Sequence, residues 1–196
     1  LTLRAFAEGL HVLVEKPAAV SAREVREMTE AAVKNNRVFG VQLFHRFYPV
    51  YQKAKNLIDS GKIGEIQRTQ WTTTNWYRTQ AYYDSGGWRA TWKGEGGGIL
   101  VNQVPHDLDI LTWLCGTPQR VRAFCHFGKW HDIEVEDDVS AYVEFHNGAT
   151  GIFVCSTGEA PGFNRLEIVG DKGTLLIEND SRLTLFEVNP SVREHC

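Results

Sequence analysis

The chain has 196 residues, of which 42% are hydrophobic, and a formal net charge of -3. This length and apolar content suit one large or two small domains with a hydrophobic core. A slightly negative chain favours a small-molecule partner over nucleic acid or an anionic membrane. No apolar run reaches the roughly 18 residues of a membrane helix, and the four cysteines form no CxxC pair. We therefore expect a cytoplasmic protein with reduced thiols and no bound metal.

Helical and strand patterns alternate over residues 1–47. The opening LTLRAFAEGL has amphipathic helical spacing, and the β-rich run HVLV ends just before a proline. A capping box of Ser21 and Glu24 begins a second helix, and RVFGVQLFHRF has the composition of a second strand. This order predicts an α/β unit with a parallel sheet.

Ligands of such sheets bind at the carboxyl ends of the strands. Glu15, Lys16 and Pro17 follow the first predicted strand, and Gln42 follows the apolar part of the second. These four residues are therefore candidates for a ligand site. Taken alone, Lys16 is more typical of an ordinary surface lysine at a strand end than of a functional residue.

A different pattern fills residues 48–196. A helix begins near Pro49 and stops at Gly61, a Thr- and Trp-rich strand follows, and residues 79–98 form a predicted long loop. Six further strands occur between Arg120 and Val188, separated by turns such as HNGA and GDKG. The fold class predicted for the chain is thus α/β followed by α+β, the second part being a predominantly antiparallel sheet with helices on one face.

The stretch GGGILVNQVPHDLDILTWLCG, residues 96–116, predicts a helix with an organised polar stripe. At 100° per residue the stripe holds Asn102, His106, Asp109 and Trp113. The opposite side carries the expected core face of Val104, Leu108, Leu111 and Cys115. Pro105 suits the first turn, Asn102 or Gln103 could cap the helix, and Asp109 could orient His106. A surface helix with a capping Asn explains the pattern as well as a catalytic site does.

Two other groups of residues have both a structural and a functional interpretation. Trp71, Trp76, Trp88 and Trp92 suit a core or an interface, or a platform on which sugar rings stack. The acidic run WHDIEVEDD, residues 130–138, suggests metal binding, but its spacing fits no standard metal loop and favours an acidic loop.

Several motifs occur in one order along the chain: EKP, HRFYP, IDSGKIGEI, GGW before Arg89, and GGG before HDLDILTWLCG. As a set, over residues 1 to about 180, they resemble the Gfo/Idh/MocA oxidoreductases, the glucose-fructose oxidoreductase and inositol dehydrogenase family. The resemblance implies the last part of a Rossmann domain (residues 1–47) and a substrate domain (residues 48–196). It also implies NAD or NADP as cofactor, hydride transfer with a sugar, polyol or amino-sugar hydroxyl, and a homodimer or homotetramer formed through the sheet face.

The resemblance also implies roles for individual residues. Lys16 would lie between nicotinamide and substrate, often beside a cis bond to Pro17, and His106 would be the acid/base residue. The implied cofactor-binding residues are Glu15, Lys16, Pro17, Gln42, Trp88 and Arg89. The substrate-binding candidates are Asn102, Asp109 and Trp76, the last as a surface for a sugar ring.

Asn102 departs from the family pattern, in which many relatives have an aspartate four residues before the histidine. An amide cannot take a proton, although it can hydrogen-bond a sugar hydroxyl. This leaves Lys16 and His106 as the acid/base candidates, and it keeps open a non-catalytic regulator that binds cofactor or sugar. A purely structural β-sheet module is a third interpretation.

The GxGxxG phosphate loop of a Rossmann domain does not occur in the sequence. We therefore expect a fragment that lacks the N-terminal Gly-rich part and binds NAD(H) or NADP(H) weakly by itself. The substrate domain could also be truncated at its C-terminal end.

Overall fold

The computed structural model describes residues 1–195. The helices are α1 Thr2–Ala7, α2 Ala22–Lys34, α3 Pro49–Asp59, α4 Gln80–Asp84, α5 Ile99–Asn102, α6 Pro105–Cys115 and α7 Val192–His195. A 3-10 helix spans Phe44–Phe47. The strands are β1 Val12–Val14, β2 Phe39–Val41, β3 Ile66–Thr73, β4 Pro118–Phe127, β5 Glu136–Phe145, β6 Thr150–Ser156, β7 Asn164–Gly170, β8 Gly173–Glu178 and β9 Arg182–Glu187.

The N-terminal unit has the predicted parallel pairing. β1 and β2 pair in parallel from Val12 opposite Phe39 to Val14 opposite Val41. Phe6 from α1 packs with Met28 and Ala32 from α2 to form a small core beside this sheet. The α/β prediction for this part is confirmed.

Ser21 is the N-cap of α2, as the capping box predicts. Its Oγ accepts a hydrogen bond from the Glu24 backbone N–H at 3.3 Å and donates one to Glu24 Oε2 at 2.9 Å. We expect Ser21→Ala to lower the free energy of unfolding by about 1 kcal/mol, because the first turn loses its cap. Urea unfolding measures the change, with Ser181→Ala, an exposed serine outside any helix, as the control. An equal loss in both variants would contradict the assignment of the cap.

The second sheet has seven strands in the order β4-β5-β6-β3-β7-β8-β9. Its pairs are antiparallel except β3 with β6, which run parallel from Arg68 opposite Thr150 to Thr73 opposite Cys155. The hairpins lie at the predicted turns, between β5 and β6 and between β7 and β8. The predominantly antiparallel sheet is confirmed, and the parallel pair at its centre is an addition that local patterns did not predict.

Helices α3 and α6 cover one face of this sheet. Tyr51 from α3 and Ile110 from α6 pack with Trp71 and Phe153, and all four side chains are almost fully buried. The Trp71 Nε1–H donates to Asn164 Oδ1 at 2.9 Å, which satisfies its polar atom within the core. Trp71 therefore belongs to the core, one of the two roles considered for the tryptophans.

Some local expectations are wrong. Residues 79–98 contain the short helix α4 and are not a loop throughout. The amphipathic spacing of LTLRAFAEGL predicts Leu3 and Leu10 on one apolar face, but both are about half exposed and Leu10 lies beyond the end of α1. None of the helices in residues 1–195 is long and apolar enough to cross a membrane. The division of the chain at residues 47 and 48 stays a prediction.

Candidate active site

The segment from residue 96 to residue 116 forms two helices, which corrects the prediction of one. α5 ends at Asn102, and α6 begins at Pro105 with Val104 as its N-cap. Pro105 occupies the first turn as predicted, but neither Asn102 nor Gln103 caps α6. The stripe drawn on a continuous helix is therefore wrong, because the chain changes direction between Asn102 and His106.

Glycine determines where α5 begins. The backbone N–H groups of Gly98 and Leu100 donate to the Glu136 carboxylate at 3.0 and 3.1 Å. A Cβ built on Gly98 would overlap the backbone oxygen of Glu136. Gly98 thus allows the close approach of a neighbouring strand, β5, and this contact fixes the position of α5.

His106 is buried, contrary to the prediction that the polar residues face away from the core. Its side chain is about 5% exposed, and its ring lies 4.4 Å from that of Phe44 and 4.5 Å from that of His45. The predicted core face is also partly wrong, since Leu108 and Cys115 are only partly buried. Residues on more than one side of α6 are buried because α6 packs against the sheet and also against the 3-10 helix.

Asp109 does not orient His106. Its carboxylate forms a two-point ion pair with Arg46, at 2.7 Å from Nε and 2.6 Å from Nη2. The Nδ1 atom of His106 is buried and has no hydrogen-bond partner within the described residues. The predicted contact of Asp109 with His106 is therefore wrong, and Asp109 instead links α6 to the 3-10 helix through Arg46. A contact of Asp109 with substrate stays a prediction.

The environment of His106 favours its neutral form. Burial lowers its pKa to about 4, and electrostatic repulsion from His45 and Lys16 acts in the same direction. At neutral pH the ring is therefore an imidazole with one nitrogen free to accept a proton.

Lys16 reaches across from the end of β1 to α5. Its Nζ donates to the backbone oxygen of Asn102 at 2.5 Å and to Asn102 Oδ1 at 3.4 Å. Burial lowers the pKa of Lys16, and the carboxylates of Glu15 and Glu95 oppose this shift. Lys16 is thus a partly buried, hydrogen-bonded lysine that follows a strand and precedes a cis bond to Pro17.

Four predicted site residues share one cavity of about 240 Å³: Lys16, Pro17, Trp88 and Asn102. Glu95 and Val20 complete much of its wall. The cavity lies beside the carboxyl end of β1, where α/β sheets bind ligands. The family resemblance predicted these four residues as one site, but it did not predict Glu95.

The other predicted cofactor residues do not line this cavity and make different contacts. Gln42 follows β2, and its backbone N–H donates to the Val14 oxygen at 2.8 Å. The Arg89 guanidinium stacks on Trp88 at 4.5 Å and lines a second cavity. Glu15 is exposed beside Lys16. None of these contacts tests the cofactor roles of the three residues, which stay predictions.

Trp76 lies against the core. Its Nε1–H donates to the carboxylate of Asp107 at 3.4 Å, and burial raises the pKa of Asp107 to about 7. Asp107 follows His106 directly and was not singled out from the sequence. No local pattern marks it, because its burial arises from α6 packing against β3 and the segment after it.

Acidic side chains of residues 130–138 hold loops in place. Asp137 accepts hydrogen bonds from the backbone N–H groups of residues 129, 130 and 131 at 2.8–3.1 Å. It also lies 3.1 Å from the ring nitrogen of His131. These contacts give Asp137 a structural role, but the predicted acidic loop is only partly correct, because residues 136–138 belong to β5.

The fold and site define a class of protein: a parallel Rossmann-type unit, with a lysine at its carboxyl end, joined to a predominantly antiparallel sheet domain. The chain belongs to the GFO/IDH/MocA family. The family model "GFO/IDH/MocA C-terminal domain" matches residues 51–176, and "Oxidoreductase family, NAD-binding Rossmann fold" matches residues 1–43. The resemblance on which the sequence interpretation rests is confirmed.

Among its relatives is D-glucoside 3-dehydrogenase of Escherichia coli, 31% identical over 75% of this chain and 45% of that protein. Another is scyllo-inositol 2-dehydrogenase (NAD(+)) of Bacillus subtilis. It is 27% identical over 90% of this chain and 51% of that protein. The crystal structure of the WlbA dehydrogenase from Bordetella pertussis, in complex with NADH and UDP-GlcNAcA, has a TM-score of 0.89. It is 28% identical and is matched over 96% of this chain and 59% of its own. The chain spans about half the length of these curated relatives.

Proposed function

We propose that this chain is part of an NAD- or NADP-dependent oxidoreductase that acts on a hydroxyl group of a sugar, polyol or amino-sugar derivative. The observation that carries the proposal is the contact of Lys16 with Asn102, which joins the carboxyl end of β1 to the segment that carries His106. The names of the relatives, a glucoside and an inositol dehydrogenase, support a hydroxyl-bearing ring as substrate.

His106 is the proposed proton acceptor. Its ring is neutral at pH 7 because burial lowers its pKa, and since Nδ1 is enclosed, Nε2 is the ring nitrogen proposed to accept the proton. A substrate hydroxyl that donates to this imidazole would lose its proton to it as the carbonyl forms. The Lys16 ammonium would donate a hydrogen bond to the same oxygen and stabilise the negative charge that develops there.

The cavity beside Lys16 fits a flat, partly polar ring. Pro17, Val20 and Trp88 give it apolar walls, and Lys16 and Asn102 give it polar ones. Pro17 and Trp88, together with Gln42 and Arg89, are the residues proposed to hold the nicotinamide end of the cofactor. The chemistry that a bound nicotinamide supplies is acceptance of the hydride from the alcohol carbon.

The subunit arrangement and location are further parts of the proposal. The sheet face away from α3 and α6 exposes several large apolar side chains: Phe124, Tyr142, Ile152 and Phe186. An apolar face of this kind supports a homodimer or homotetramer. A cytoplasmic location stays a prediction.

A substrate panel tests the function. Full-length protein is incubated with NAD⁺ or NADP⁺ and a set of sugars, inositols and amino sugars, and formation of reduced nicotinamide is followed by absorbance. We expect turnover with at least one compound. Tight binding without turnover would favour the regulatory alternative, which the uncharged Asn102 keeps open. Absence of both binding and turnover would favour a structural module.

A further inference from the structure

Glu95 is a carboxylate of the candidate site with two separate contacts. It lies directly before the glycines at 96–98 and lines the cavity that holds Lys16. One oxygen, Oε2, accepts a hydrogen bond from the Ala90 backbone N–H at 2.7 Å. The other, Oε1, accepts a hydrogen bond from the side-chain amide of Asn102. Glu95 therefore connects the segment after Trp88 to the end of α5.

The Asn102 amide lies between an anion and a cation. Its Nδ2 donates to Glu95, and its Oδ1 accepts from the Lys16 ammonium at 3.4 Å. An amide oriented this way has its positive end on the carboxylate and its negative end on the ammonium, so each charge favours the observed orientation. The amide itself carries no charge. The negative charge connected to the Lys16 ammonium through this amide is therefore the carboxylate of Glu95.

We propose that Glu95 is a positioning residue that acts on Lys16 through the Asn102 amide, holding the ammonium toward the reacting hydroxyl and balancing its charge. This inference rests on the proposed function in one respect, namely that the group toward which Lys16 is held is a substrate hydroxyl. The hydrogen-bonded path from carboxylate to amide to ammonium does not depend on it.

Other charged groups near Lys16 do not replace Glu95. Glu15 raises the pKa of Lys16 more than Glu95 does, but Glu15 is exposed to solvent, is adjacent to Lys16 in the chain and makes no hydrogen bond to Asn102. His106 is close enough for the lysine charge to lower its pKa, and as a neutral ring it offers no opposing charge. Glu95 reaches Lys16 from another segment and is tied through Asn102 to a fixed helix end.

Glu95→Gln removes the charge and keeps the acceptor for the Ala90 N–H. We expect the pKa of Lys16 to fall further, because one of the two carboxylates that raise it is lost while Glu15 remains. The pH titration of the Lys16 ¹³Cε resonance, in protein labelled with ¹³Cε-lysine and assigned with Lys16→Arg, measures this without substrate or cofactor. In turnover assays we expect kcat to fall about tenfold, the effect of losing one hydrogen bond to a charged group.

The double variant Glu95→Gln with Asn102→Asp exchanges the amide and the carboxylate. The oxygen of the introduced glutamine can accept from the Ala90 N–H, and its amide nitrogen can donate to the introduced aspartate, whose carboxylate then lies directly on Lys16. Every hydrogen bond of the path is kept, so we expect the Lys16 pKa and kcat to recover. A role limited to holding the loop would predict no such recovery.

Glu134→Gln is the matched control. Glu134 accepts the Trp92 backbone N–H at 2.6 Å and so holds the same loop, but its hydrogen bond does not lead to Asn102. We expect its Lys16 titration to match that of the unmodified protein. An unchanged Lys16 pKa in Glu95→Gln would overturn the inference. A shifted pKa in a protein that oxidises no alcohol would support the link from Glu95 to Lys16 and refute the proposed function.

Discussion

Replacing His106 with alanine in the full-length protein is expected to lower kcat/KM for alcohol oxidation by about 10²–10⁴-fold, the usual contribution of a positioned proton acceptor. The ring is packed between Phe44 and His45, and its Nδ1 is enclosed within the described residues, so the nitrogen to which a bound hydroxyl could donate is Nε2. Steady-state rates of nicotinamide reduction measure the effect.

The pH profile makes the same assignment testable in the unmodified protein. Burial lowers the pKa of His106 to about 4, so the ring stays neutral until the solution is acidic. Falling pH through this value protonates the acceptor and should abolish activity on the acid side. We expect kcat/KM for alcohol oxidation to decline near pH 4, well below the ordinary histidine pKa of about 6.5. In His106→Ala the residual kcat/KM should no longer decline near pH 4, because the group that is protonated there is absent.

His146→Ala is the control for His106, because His146 is an exposed residue in the hairpin between β5 and β6. Its kcat/KM should equal that of the unmodified protein. His106→Gln separates chemistry from packing, since glutamine fills much of the same volume but is a poor base. Undiminished turnover in both His106 variants would show that another residue takes the proton.

The sequence predicts elements well where their signals are local. Pro49 and Gly61 bound α3, Ser21 caps α2, and short turns separate the strands after residue 118. Each of these signals acts over a few residues, through fixed dihedral angles or a hydrogen bond within one turn. They therefore remain valid in any tertiary context.

The site was predicted less well, because its contacts join residues far apart in sequence. Lys16 meets Asn102 across 86 positions, and Arg46 contacts Asp109 across 63. A helical wheel assumes one continuous helix, so it could not show the break before Pro105 or the burial of His106. The family resemblance supplied Lys16 and His106, but the Glu95 contact with Asn102 required the folded structure.

Gly98→Ala is expected to lower the free energy of unfolding by about 3 kcal/mol. This is the upper end of the usual cost of adding a methyl group where there is no space for it. The new Cβ would overlap the backbone oxygen of Glu136, which β5 holds through its pairing with β4. Because the obstacle is backbone, a side-chain rotation cannot relieve it, and α5 has to move. That movement would break the hydrogen bonds of Gly98 and Leu100 to Glu136 and displace Asn102 from Lys16.

Gly87→Ala is the matched substitution, because a Cβ there meets no atom within 4 Å. We expect it to change the free energy of unfolding by less than about 0.5 kcal/mol. Urea unfolding compares the two variants, and the Lys16 ¹³Cε resonance reports whether Asn102 has moved. Trimming Glu136 to alanine should not rescue Gly98→Ala, since the overlap is with the backbone oxygen. Equal stability of the two glycine variants would mean that α5 can shift without cost, and the position of Asn102 would then not be fixed by β5.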